Sequence, residues 1–208
     1  MFDPVAAMKG LAEERPVFHS EADFQHALAW ALHSQHETGS VRLEFKPFPE
    51  ERFYLDMWIR VGGEACAVEL KYPTRGIDVT VGNERFVLRD QAAQDITRYD
   101  FVKDLVRLER VVEAGLATSA VAILLTNDSA YWKESLRPAS VDAAFRIAEG
   151  RMLAGTLQWA THAGPGTMRG REGPLKLVGS HLVRWTDYSS FPCSYGTFRH
   201  LSVIVQGP

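Results

Sequence analysis

Asp56, Glu69 and Lys71 are the residues of this chain whose types and spacing best suit chemistry. Twelve residues separate the two acids, and the lysine follows Glu69 by two. A pair of carboxylates brought close together repels itself unless a cation lies between them. Mg²⁺ takes oxygen ligands of this kind and keeps positions open for water and phosphate. Such an ion polarises a phosphoryl oxygen and lowers the pKa of a bound water. An adjacent lysine can orient or deprotonate the attacking water, or offset charge developing on the phosphate.

Whether the three meet depends on Gly62-Gly63, a two-residue signal for a tight hairpin. Strands are expected over Phe53–Val61 and Ala65–Tyr72, the second stopped by Pro73. If the glycines form the loop, Val61 faces Glu64, Asp56 faces Glu69 and Tyr54 faces Lys71. Side chains alternate along a strand. Phe53, Leu55, Met57, Ile59 and Val61 then share an apolar face with Cys66, Val68 and Leu70, and Asp56, Glu69 and Lys71 project from the other. Directly opposed carboxylates repel across a strand pair. The alternative is structural: Lys71 pairs with one carboxylate and the other faces water.

Around the hairpin the pattern predicts a helix after Ser20, with Ser20 and Asp23 as capping residues. Phe24, Ala27, Leu28, Ala31 and Leu32 give it one buried face, and it fades near His36 to Gly39. Val41–Phe45 reads as a strand. Residues 74–89 read as an inserted loop with a small hairpin at Gly82-Asn83, followed by a long helix over about Asp90–Ala114. The apolar run Ser119–Leu125 suits a strand buried on both faces. Strand, helix and strand imply a right-handed parallel crossover. Beyond residue 128, Val141–Leu153 reads as helix and Ala163–Pro174 as a mobile Gly- and Pro-rich loop. Leu175–Val178, His181–Trp185 and Leu201–Val205 read as strands, the first two joined at Gly179-Ser180.

Asp56, twelve residues, then Glu69-Leu70-Lys71 resembles the D-x(n)-(D/E)-x-K motif of the PD-(D/E)XK nucleases. The order of elements from Ser20 to Leu125 is similar to that superfamily's. The resemblance implies an α/β fold: a restriction-endonuclease-like core with a mixed central sheet (α-β-β-β-α-β) flanked by helices, over about residues 18–128. A β-rich elaboration over about 129–208 completes a single domain of 208 residues. It implies Asp56 and Glu69 as ligands of Mg²⁺ or Mn²⁺, the backbone carbonyl of Leu70 as a further ligand, and Lys71 as the catalytic lysine. Many members carry an acid on the first helix, a place held here by Glu21. The motif's leading proline is replaced by Leu55. The implied activity is endonucleolytic hydrolysis of nucleic acid, with DNA the expected substrate; oligomeric state is left open, and the apolar C-terminal strands could serve a homodimer, since many such enzymes dimerise to cut both strands. The alternatives are a non-catalytic nucleic-acid- or protein-binding module on the same scaffold, and a metal-dependent enzyme acting on another phosphoester.

On the long helix, Gln91, Gln94 or Asp95, and Arg98 share a stripe, with Ala92, Ile96 and Tyr99 on a more apolar side. Gln91, Gln94 and Arg98 are candidate nucleic-acid contacts, since a guanidinium fork suits phosphate oxygens; an exposed face with an Asp95–Arg98 pair is the alternative. Thr126-Asn127-Asp128 closes a strand where sites often lie, but equally reads as a turn. Tyr131-Trp132 could stack on bases or simply pack. The histidines, among them His26, His33 and His36, show no ligand spacing. Neither a phosphate-binding loop nor a serine elbow is present.

The net charge of −3 argues against indiscriminate coating of nucleic acid. Residues 1–150 hold 17 basic and 24 acidic side chains, and residues 151–208 hold 6 and 2. A basic C-terminal region is compatible with tracking phosphates. Cys66 and Cys193 are too few for a disulfide framework or, alone, for zinc. With no apolar run of membrane length and no signal-like start, the expectation is a cytoplasmic protein.

Overall fold

The computed structural model describes residues 3–35, 39–91 and 93–207. The expected fading of the first predicted helix over residues 36–38 and the placement of Ala92 lie outside them. Two helices open the chain. The first, α1 (Pro4–Glu14), is capped by the Asp3 carboxylate, which accepts from the Val5 and Ala6 amides at 2.9 and 3.0 Å, with Pro4 preset for the first turn. The second, α2 (Glu21–Gln35), is the helix expected after Ser20, whose hydroxyl accepts from Asp23 N at 3.2 Å.

Next come β1 (Ser40–Phe45), β2 (Leu55–Val61) and β3 (Glu64–Lys71). Gly62 and Gly63 turn the last two with φ of +57° and +93°, a conformation that glycine adopts without strain. The register is the expected one: Val61 faces Glu64, Ile59 faces Cys66 and Met57 faces Val68. A small hairpin follows, β4 (Ile77–Val81) and β5 (Glu84–Leu88), turning at Gly82-Asn83 as expected. Then α3 (Gln94–Glu113) crosses over to β6 (Ser119–Thr126), which pairs in parallel with β3.

The C-terminal part departs from expectation in four places. A single 3₁₀ turn, Ala143–Phe145, stands where a helix over Val141–Leu153 is predicted, and β7 (Met152–Leu157) begins within that range. The short helix α4 (Pro165–Met168) lies in the predicted mobile loop, which Arg171 ties to α3 through both oxygens of Asp100. Gly179-Ser180 is not a turn but the middle of β8 (Leu175–Leu182), which pairs with β7. Finally, β9 (Trp185–Ser190) and β10 (Thr197–Gln206) join the main sheet, whose order is β1-β2-β3-β6-β10-β9. The apolar Leu201–Val205 segment pairs along its length with β6, and Leu201 also with β9.

Helices cover both faces of this mixed sheet. One core joins Met8, Leu11, Phe24, Leu28 and Leu32 of α1 and α2 to Met57, Ile59, Val68, Leu70, Val121 and Ile123. The other joins Val102, Leu105 and Leu108 of α3 to Trp58, Ala67, Ala120 and Ala122. The alternation along β2 breaks at its start. Leu43 and Met57 pack into the first core, yet Phe45 and Leu55 pack into the second, although each pair is two residues from the other. Glu44, between them at φ +51°, turns the strand over. Phe53 and Leu55 accordingly lie on the α3 side, not with Met57 as the pleat alone predicts.

Candidate functional site

Asp56 sits at that turnover. Regular pairing of β2 with β3 ends at Met57 and Val68, one step short of Asp56 against Glu69. The Asp56 carboxylate reaches across instead, accepting from the Leu70 amide at 2.5 Å through Oδ2. Its backbone carbonyl accepts from the Gln25 side-chain amide of α2 at 2.7 Å, and the same amide reaches Glu44 Oε1 at 3.2 Å. Tyr54 precedes the strand and is exposed, so the expected pairing with Lys71 does not form.

Glu69 is 4% exposed, and its Oε1 is buried with no hydrogen-bond partner. The Asp56 carboxylate is close enough for its charge to act on Glu69. Burial first, then the charges of Asp104 and Asp56, push the Glu69 carboxyl up to about 10. A neutral Glu69 at pH 7 follows.

Lys71 projects from the same face of β3, where α3 covers it. Its Nζ lies 2.6 Å from Asp104 Oδ2 and donates to the Leu70 carbonyl at 3.1 Å. Burial disfavours its charge, but the adjoining Asp104 carboxylate overcomes this and holds the ammonium above its ordinary pKa. Lys71 is thus a fixed cation.

Glu21, at the start of α2, accepts from the Tyr72 amide at 2.7 Å through Oε2. Burial raises its pKa against the pull of Lys71, and it senses Asp56 and Asp104 as well. The structure therefore brings Asp56, Glu69, Lys71 and Glu21 together from β2, β3 and α2. It adds Asp104 from α3, which the sequence reading missed. The available signal was an acid embedded among Phe101, Val102, Leu105 and Leu108, the buried side of its helix.

The helix candidates lie apart from this cluster. Gln91 precedes α3 instead of lying on it, and clamps Thr74 by accepting from its amide at 3.1 Å and donating its own to the Thr74 carbonyl at 2.8 Å. Gln94 donates to Asp128 Oδ2 at 2.9 Å, so the strand-end turn and the helix start are fastened together. Arg98 is 4% exposed and bonds Asp142 Oδ2 at 2.5 Å and the Ala130 carbonyl at 2.7 Å, with Tyr131 beneath its guanidinium. That placement leaves neither the exposed phosphate contact nor the Asp95 pair considered for it. Tyr131 is buried and Trp132 packs against Trp185, the packing alternative for that dipeptide.

Among the described residues no three Asp, Glu, His or Cys side chains converge as a ready-made metal cage. The donor set still suits a hard cation of low protein coordination. Asp56 and Glu69 are adjacent, the unpartnered Glu69 oxygen is buried, and Mg²⁺ is commonly held by one or two carboxylates with waters and phosphate completing its shell. The Leu70 carbonyl, the expected third ligand, is engaged by Lys71 Nζ. None of the described helices is long and apolar enough to cross a membrane. Comparisons with models of known families, with curated proteins and with solved structures returned no match.

Proposed function

We propose that this chain is a metal-dependent phosphodiesterase of the PD-(D/E)XK type, an endonuclease acting on DNA with Mg²⁺ or Mn²⁺. One observation carries the reading: a buried glutamate oxygen without a partner, beside a second carboxylate and a fixed lysine. Buried polar atoms are nearly always satisfied, and each exception calls for an explanation, a bound ion among them. Selection for stability alone would replace Glu69 by glutamine or an apolar residue.

In this reading Asp56 and Glu69 would hold the ion, with Glu21 the next acid to hand. When bound, the ion would supply a polarised phosphoryl oxygen and an acidified water. Asp56 is already oriented by the Leu70 amide, so its ligand geometry is preset. Glu69 would have to lose its proton to serve as a ligand, so ion uptake would be coupled to proton release. Of the lysine's roles, the fixed charge favours neutralising the phosphate in the transition state over deprotonating water.

Plasmid nicking with Mg²⁺ and Mn²⁺ tests this directly. The wild-type chain should convert supercoiled to relaxed DNA, and Asp56→Ala and Lys71→Ala should each lose at least about 100-fold in rate. Activity that survives both substitutions would sink the site assignment. Hydrolysis of small phosphoesters without any on DNA would move the reading to a different substrate class.

A further inference from the structure

We propose that Asp104 is a positioning residue for Lys71, drawing its ammonium toward α3 and so keeping Glu69 open to a divalent cation. The inference rests on the metal-dependent reading given above and adds to it a residue of α3.

Asp104 is 3% exposed, deep enough that its charge must be matched. It is matched twice. Lys71 Nζ lies 2.6 Å from Oδ2 as an ion pair, without the angle of a hydrogen bond, and Oδ1 accepts from Arg107 Nη1 at 3.2 Å. The lysine's other contact is the Leu70 carbonyl. Lys71 feels the charges of Glu21 and Glu69, yet among the described residues its ion pair is with Asp104. Meanwhile Glu69 Oε1, nine-tenths buried and more, receives no donor at all. An ammonium on a four-carbon stem can rotate. Without Asp104, the next acids whose charge it feels are Glu21 and Glu69, and beside Glu69 it would stand where the cation belongs. The helix acid thus separates two positive charges that would otherwise compete for one pair of carboxylates.

The test is Mn²⁺ titration calorimetry on the full chain, with Asp104→Asn and Lys71→Met made singly and together. Asp104→Asn alone should weaken Mn²⁺ binding about tenfold, because the released ammonium competes for the carboxylates. In the Lys71→Met background the same change should alter affinity by less than about twofold, since there is no ammonium left to misplace. Asp104→Glu, which keeps the charge, should recover most of the affinity lost in Asp104→Asn. Equal losses in both backgrounds would make Asp104 a direct ligand and overturn the proposal, as would unchanged affinity in a folded Asp104→Asn. If Asp104→Asn alone fails to fold, Lys71→Met against the double variant decides: equal affinities support the proposal and a tenfold drop overturns it. A wild-type chain that binds no Mn²⁺ would instead defeat the metal-dependent reading itself, a result distinct from any of these.

Discussion

Glu69 concentrates the tension in the site. Its ordinary pKa of 4.5 rises to about 10 in the fold, so between those values the folded chain holds a proton that the unfolded chain has released. Stability must then fall as pH rises through that window, because the unfolded state is the one that gains by ionising. Glu69→Gln imitates the protonated form and should flatten the decline. Thermal melts in chelator at pH 4.5 and pH 8.5 should show the variant at least on the order of 1 kcal/mol more stable at the higher pH, with little difference at the lower. A variant less stable than wild type at pH 8.5 would mean that Glu69 is ionised and structurally paired. Asp56, Glu69 and Lys71 could be grouped from sequence because a two-glycine turn fixes register and strand alternation fixes the side. Asp104 could not be, since its partner lies on another element and helical periodicity alone reads it as a lapse in an apolar stripe.

For elements, α3 shows what periodicity leaves out. Spacing places Gln91, Gln94 and Arg98 on one stripe, but the helix begins only at Gln94 and the Arg98 stripe faces inward. Arg98 turns into the protein to meet Asp142, 44 residues on, and Asp142 is held further by Ser140 and Arg146. No local pattern announces such a pairing. The arrangement makes Arg98 a tie between α3 and the segment leading to β7. Arg98→Met should cost about 2–4 kcal/mol in denaturant unfolding, because Asp142 stays buried with less compensation. On the proposed nuclease reading, the folded fraction should bind and cleave DNA as the wild-type chain does. Loss of DNA affinity at undiminished stability would restore Arg98 as a substrate contact. The opening helix α1 is not evident from periodicity, though Asp3-Pro4 is a start signal, because it is short and its burial comes from α2 and β9, both later in the chain.

For the molecule as a whole, the order β1-β2-β3-α3-β6 was legible, because a hairpin followed by helix and apolar strand leaves few topologies. The return of the C-terminal strands to the same sheet was not, since nothing local says which neighbour an apolar strand will choose. That return buries His200 of β10, with Nδ1 3.0 Å from Ser202 Oγ and the Tyr188 ring edge-on to it. Burial, then the charge of Arg199, lowers its pKa to about 4 from 6.5. A depressed histidine contributes stability above its unfolded pKa and loses it as the fold is acidified. Stability should therefore fall between pH 6.5 and pH 4, by up to about 3 kcal/mol, and His200→Gln should remove that part of the slope. An unchanged acid profile in the variant would mean that His200 charges freely in the fold.

The parallel seam between β3 and β6 sets an order of events in time. A hairpin of β2 and β3 can form by itself, with Glu69 ionised in water. Only when α3 has crossed and brought β6 alongside does Asp104 come over Lys71, 35 and 33 residues from Glu69 and Lys71 in the chain. If dehydration of the acids comes after the rate-limiting barrier, its cost falls on the unfolding rate. Glu69→Gln, if it stabilises as expected, should slow unfolding and leave refolding nearly unchanged in stopped-flow experiments. The hairpin that carries the chemistry would then assemble before the surroundings that make it costly, and the site's tension would be felt as a shorter lifetime of the native state.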